Sequence, residues 1–497
     1  MAIVLMAVGC NHENRSSGNK EDEREKHRPQ FHFSPKKGWM NDPNGMVYLN
    51  GKYHLFFQHN PDSNVWGPMH WGHAISTDLV HWKEQPVALF PDSLGTIFSG
   101  SAVVDSANTA GFGASALVAI FTHHNIHIEQ EKTGKHEYQS LAFSTDEGRT
   151  WKKYEGNPVL PNPGIVDFRD PKVMWHEESK QWIMTLATKQ TITFYASPNL
   201  REWHRLSEFG KDIGAHGGVW ECPDLFQLKS EAGEKWILLV SINPGAPNGG
   251  SGTQYFVGEF DGTRFQADHT DIRWMDYGPE DYAGVTFSNT GERKVLVGWM
   301  NNWEYANEIP ASTWRGAATF ARELKLIKLG KDFFLSSDLV SELDALYTRG
   351  GDEMAISVDG SYDLSEKMRD FKGQYMLELK TEEVRDFSLH LKNEKGEEVI
   401  IGFDASKNHY YVDRSKSGNV TFKENFILNA IVPRIGKEAP SLKLLVDVTS
   451  VEVFADGGLS VLTALFFPNE VLDGLEIRAH KGLRIKELNY GKIASVF

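Results

Sequence analysis

Apolar residues come in short blocks in which apolar and polar positions alternate with a period of two, the pattern of strands with one buried face. Gly, Asp and Asn gather between the blocks as turns. Hairpins of the form turn, apolar strand, polar loop, apolar strand begin near Asp42, Ser99, Asp170, Glu221 and Asp281, roughly fifty to seventy residues apart. A second pattern interleaves with them. HWGHAISTDLVHW (70–82), LAFSTDEGRTW (141–151) and FYASPNLREW (194–203) each read as a strand, a turn and a tryptophan that restarts a strand, and YFVGEFDGTRF (255–265) repeats the shape with Phe for Trp. Five starts at this spacing predict five four-stranded blades, a β-propeller over residues 31–335. The first strand of each blade lines the channel of a propeller, so Asp42, Asp170 and Glu221 are predicted to converge on one axial pocket.

Beyond residue 350 the pattern changes. QYMLELK, FSLHLK, EVIIGF, LKLLVDV, SVEVFA and VLTALFF alternate strictly and are separated by Gly, Asp and Asn, which predicts an antiparallel β-sandwich over 351–497. DRSKSG (413–418) belongs to it as a structural segment, and SSDLVSELDALY (336–347) opens a helical or irregular connector, 336–350. All 14 tryptophans precede residue 315, so aromatic platforms belong to the first domain. The fold class is therefore all-β, a five-bladed propeller followed by a sandwich.

The first thirty residues read differently. MAIVLMAVGC is an apolar run ending in small residues before Cys10, and 11–30 is charged and polar, as in a disordered tether. The run resembles a bacterial lipoprotein signal with Cys10 as the lipidated residue, which implies display at a cell surface or outer membrane; a periplasmic or secreted protein is the alternative. With only Cys10 and Cys222 present, no structural disulfide is expected. A net charge of −15 excludes phosphate-backbone binding as the main task, so nucleic acid is not an expected partner.

WMNDPNG (39–45) sets a carboxylate on a turn between aromatic and apolar flanks. Aromatic faces stack on the C–H faces of sugars, and a pair of carboxylates is the minimal apparatus for cleaving a glycosidic bond. His123, His124 and His127 in FTHHNIHIEQ lack metal-ligand spacing and read as a polar loop at a blade edge; no metal or cofactor is expected. Nucleophile-elbow, phosphate-loop and dinucleotide fingerprints are absent from the sequence.

WMNDPNG, FRDP (168–171) and WECPD (220–224), in this order, resemble the signature motifs of glycoside hydrolase family 32, the invertases, inulinases and levanases. LFFQHN, NVWGPMHWGH, FSGSAV, GWMNNWEYA and SVEVFADGG are similar as well. The resemblance implies hydrolysis of β-fructosides with retention, with Asp42 as nucleophile, Glu221 as acid/base and Asp170 as transition-state stabiliser. It implies substrate contacts from Asn41, Gln58, Trp66, Phe98, Ser99, Arg169 and Trp303, with Trp66, Phe98 and Trp303 forming the sugar wall. Cys222 is read as packing, and Trp82, Trp151 and Trp203 as core. The expected substrate is a fructan polysaccharide or oligosaccharide, cut internally, with levan ahead of inulin; other surface glycan-binding proteins are conceivable partners. Two other readings stand beside this one: an inverting five-bladed glycosidase acting on arabinan or xylan, and a fructan-binding surface protein without catalysis.

Overall fold

The structure is a computed structural model that describes residues 25–497; Cys10 and the apolar run before it lie outside the described residues. Five antiparallel sheets follow one another along the chain. Their innermost strands are Gly38–Leu49, Thr96–Asp105, Phe168–His176, Val219–Ser230 and Tyr282–Thr286, and each touches the next in cyclic order, so the five sheets are the blades of a closed propeller. Blades one and five are joined where Ser288 exchanges backbone hydrogen bonds with Met46 and Tyr48 and where Trp314–Arg315 pairs in parallel with Gly38 and Trp39. The hairpin starts anticipated from sequence are these innermost strands.

The tryptophan repeat has a local physical cause. Ser76, Ser144 and Ser197 end the third strand of their blades and hydrogen-bond Asp78, Asp146 and Asn199. Each of those side chains accepts from backbone N–H groups further along its turn, as turn-forming Asp and Asn do. The next residue in each turn takes a left-handed conformation, Leu79, Glu147 and Leu200 with φ of 63°, 60° and 61°. The indoles of Trp82, Trp151 and Trp203 then donate back to the carbonyls of Leu79, Gly148 and Leu200. These tryptophans are half-buried clamps packed against the core. In blade four, Asp261 accepts from Thr263 and Arg264, and Gly262 supplies the left-handed position at φ 84°.

The sandwich holds the anticipated strands Tyr375–Thr381, Phe387–Lys392, Glu398–Asp404, Ser441–Asp447, Ser450–Ala455 and Ser460–Leu465. The strand Gly474–Ile493 ties its layers together, pairing with Phe387–Lys392 through its first half and with Tyr375–Thr381 through its second. Leu389, Ile401 and Val412 face Leu377, Leu444 and Val453 in a continuous core between the layers. The outermost strand of blade five, Asp332–Leu339, runs into the stretch read as connector, and the irregular part is the single turn Ser341–Ala345.

The propeller meets the sandwich through buried charge rather than apolar surface alone. His32 lies between Asp447 and Glu452 at 2.8 Å from each. Arg322 reaches Asp276 and Asp281, both at 2.9 Å, and binds Glu452 as well. Arg414 grips Glu280 at 2.8 Å. Asp281, expected to line the axial pocket with the other blade starts, is instead held in this seam by Arg322. Successive residues of a strand point to opposite faces, so its neighbour Tyr282 takes the axial side.

Candidate active site

All five innermost strands break register at the same level. Met40–Pro43, Ile97–Gly100, Arg169–Lys172, Glu221–Asp224 and Tyr282–Val285 each advance three residues while the partner strand advances two, so every blade carries one extra residue there. Such bulges re-aim side chains and end regular pairing. Pro43, Pro171 and Pro223 explain three of them, because proline gives no ladder donor, and Gly100 and Gly284 sit at the other two. In blades three to five the bulge holds a non-glycine residue at positive φ: Asp170 at 63°, Cys222 at 46°, Ala283 at 53°. These conformations cost energy and persist where surrounding structure enforces them.

The bulges gather the predicted carboxylates. Asp42 Oδ2 accepts from Ser99 Oγ at 2.7 Å and Oδ1 from Asn41 Nδ2 at 2.9 Å. The Trp39 indole fixes the Asn41 amide by donating to its Oδ1 at 2.7 Å. Asp170 Oδ2 accepts from the Cys222 N–H at 3.0 Å, while the Asp170 N–H donates to Thr122 Oγ1 at 3.0 Å. Glu221 Oε1 accepts from Arg169 Nε at 3.1 Å and Oε2 from the Tyr282 hydroxyl. Arg169 is itself anchored by Asp167 at 2.8 Å and Glu137 at 3.1 Å.

Cys222 packs in the core as read from the sequence, and its thiol also takes a place among the carboxylates. Its Sγ stands 3.5 Å from Asp42 Oδ2 and 3.6 Å from Asp170 Oδ2, between the two carboxylates. Burial and then the charges of Asp170 and Asp42 push its thiol far above the ordinary range, so it remains a neutral S–H donor to both. Burial, followed by the charge of Glu221, likewise raises Asp170 well above the usual carboxylate range. Glu221 is raised by burial, with Arg169 and the Tyr282 hydroxyl pulling the other way and Asp42 adding to the rise. Glu137 goes the opposite way: burial alone would raise it, but Arg169 and hydrogen bonds from His124 and the Phe168 N–H bring it down to about 2.

The aromatic residues divide. Phe98 is half-buried and meets the exposed Trp66 edge-on at 6.3 Å. Trp303 is half-buried against Trp39 and Trp299. Gln58 is buried in the second strand of blade one, and its Nε2 has no partner. The histidines depart from expectation: only His127 is exposed, on the short helix Ile126–Gln130, whereas His123 and His124 end the strand Ala116–His124, His123 fully buried and His124 stacked on Phe98 at 4.5 Å. Tyr282 was not anticipated. Its place at the start of the fifth innermost strand was visible, but the adjacent acid drew the assignment.

A five-bladed propeller with three carboxylates, one guanidinium and an aromatic rim at its axis defines a glycoside hydrolase. The chain belongs to glycosyl hydrolases family 32, whose N-terminal domain profile matches residues 32–337 and whose C-terminal profile matches 342–492. A levanase of Bacillus subtilis (strain 168) is 44% identical over 497 aligned residues, covering 95% of this chain and 71% of that protein. A levanbiose-producing levanase of the same strain is 35% identical, covering 97% and 94%. Among solved structures, the exo-inulinase of Aspergillus awamori superposes with a TM-score of 0.86 at 35% identity, covering 95% of this chain and 99% of that one.

Proposed function

We propose that this glycoside hydrolase cleaves fructans, levan first, by a retaining mechanism in which Asp42 attacks the fructosyl C2 and Glu221 protonates the leaving oxygen. The observation that carries the roles is the unequal setting of the carboxylates. Asp42 is tied by two neutral donors and keeps a half-exposed face toward substrate. Glu221, half-buried like Asp42, is pushed upward by desolvation and by the charge of Asp42 against the pull of Arg169 and Tyr282, as an acid that must hold its proton near neutrality requires. Asp170 neither attacks nor transfers a proton; fixed by the Cys222 N–H, it stabilises charge developing on the ring and hydrogen-bonds sugar hydroxyls. Arg169 and Gln58 have donors for those hydroxyls, and Trp66, Phe98 and Trp303 form the wall.

Internal cleavage fits an enzyme displayed through a lipidated Cys10, since it would meet polymers too large to import. The likeness to an exo-inulinase favours a second reading, release of single fructose units from chain ends. Chromatography of products from levan, inulin and sucrose separates them: early oligosaccharides mean internal cleavage, fructose alone means terminal cleavage, and no product from any of the three overturns the proposal. Relatives named as extracellular support a location outside the cytoplasm. Among the described residues no helix is long and apolar enough to cross a membrane. Active enzyme leaving the membrane fraction in Cys10→Ala is the expected sign of the anchor.

A further inference from the structure

The histidines of the stretch FTHHNIHIEQ have no assigned role in the chemistry above, yet His124 sits beside the active site, stacked on Phe98. Antiparallel pairing sets His124 opposite Glu137, and His136 immediately precedes Glu137. His124 Nδ1 lies 3.5 Å from Glu137 Oε1, and ligand atoms of His124, His136 and Glu137 all fall within 4.8 Å of one another. A tetrahedral zinc-type ion places its ligand atoms about 3.3 Å apart. One edge is therefore present already, and a modest side-chain rotation completes the triangle.

Three further observations point to a cation. Nδ1 of His136 is buried without a hydrogen-bond partner, and His136 is only 6% exposed; buried imidazole nitrogens are normally paired. His124 Nε2 meets Glu129 Oε2 at 3.2 Å, the carboxylate-on-the-far-nitrogen arrangement that orients metal-binding histidines. The surroundings are acidic, since the Arg169 guanidinium that pairs with Glu137 is shared with Asp167 and Glu221.

We propose that His124, His136 and Glu137 bind a divalent transition-metal ion and that its occupancy slows hydrolysis; this second half rests on the active-site assignment above. Two imidazoles and one carboxylate suit zinc, cobalt, nickel or copper rather than magnesium or calcium. The coupling runs through Glu137 Oε1, which holds Arg169 at 3.1 Å. An ion on that oxygen competes with Arg169, which also contacts Glu221. His124 carries Phe98 of the wall on its ring, so the ion would sit behind both the acid and the sugar platform.

The test titrates the chelator-stripped full chain with Co2+ alone and follows its visible d–d absorption. A band saturating at one equivalent and displaced by Zn2+ is expected. His136→Gln lies outside the catalytic machinery and should keep metal-free activity and melting temperature while losing at least about tenfold in Co2+ affinity. His136→Cys should restore binding with a more intense, thiolate-type band. No stoichiometric band in the wild type, or equal binding by His136→Gln, overturns the site whatever the substrate proves to be. Hydrolysis should fall severalfold at saturating Zn2+ in the wild type and not in His136→Gln; stoichiometric binding without that difference overturns the regulatory half.

Discussion

Two buried acidic clusters lie within this chain, one at the propeller axis and one at the seam with the sandwich. In the seam, Asp447, Glu452, Asp276, Asp281 and Glu280 face two arginines and a histidine, and backbone N–H groups of Gln30, Phe320, Gly278 and Leu465 cap the carboxylates further. At the axis, Glu221 shares Arg169 with Glu137 and Asp167, whereas Asp42 and Asp170 are held by neutral donors, Asn41, Ser99 and the Cys222 N–H. Paired buried charges hold a structure in register; carboxylates left without a cation partner beside a cleft are free to react. The same residue types thus serve as cement in one place and reagent in the other, and the supply of cations and backbone donors decides which.

The sharpest way to break this contrast is to neutralise one member of each cluster. Asp42→Asn should lower turnover by about a thousandfold or more while leaving the melting temperature nearly unchanged. A mutant that melts early, or that keeps a tenth of the rate, would place Asp42 among the cement. Arg322→Met should do the reverse. It strands Asp276, Asp281 and Glu452, an effect of about 3–5 kcal/mol in urea unfolding, with turnover per folded molecule preserved.

The two clusters should also differ in their response to pH. Burial would lower His32, but Asp447 and Glu452 raise it to about 9, so its contribution is complete below about 6.5 and fades as pH climbs through 9, a change of about 3 kcal/mol. Asp281, raised to about 7 by burial, acts in the same sense at lower pH: the folded state keeps its proton, so its contribution is complete below about 3.8 and has gone by about 7. Glu452, brought to about 2 against its burial by Arg322 and His32, gives stability above 4.5 that is lost as pH falls toward 2. Thermal melting should therefore peak on the acid side of neutrality and drop between pH 6.5 and 9, and His32→Gln should flatten that drop. A flat wild-type profile would contradict the seam ion pairs.

The smallest effect concerns Tyr282. Its hydroxyl stabilises ionised Glu221, so Tyr282→Phe should move the alkaline limb of kcat/KM upward by about half a unit to one unit. A downward shift would reverse the sign assigned to that hydrogen bond.

What the sequence revealed follows from which interactions are local. The turn built by Ser76, Asp78 and Trp82 closes within seven residues, so its repeats announced the blades. Asp42 and Asp170 each precede a proline and Glu221 stands two before one, which marked the bulges without showing that they were bulges. The face taken by Asp281 depended on Arg322 and on Glu452 in another domain, and no spacing encodes that. Cys222 likewise looked like a packing residue, because its two carboxylate neighbours come from other blades.

The seam also sets an order of events during synthesis. Gln30 and His32 find partners in Asp447 and Glu452, separated from them by 417 and 420 positions along the chain. A ribosome releases the propeller long before those acids exist, so the nascent domain carries His32 without either carboxylate and Arg322 with only Asp276 and Asp281 until the last strands emerge. Maturation of the enzyme is thus tied to completion of the polypeptide, and a product truncated within the sandwich would expose unmatched charge for quality-control proteases to find.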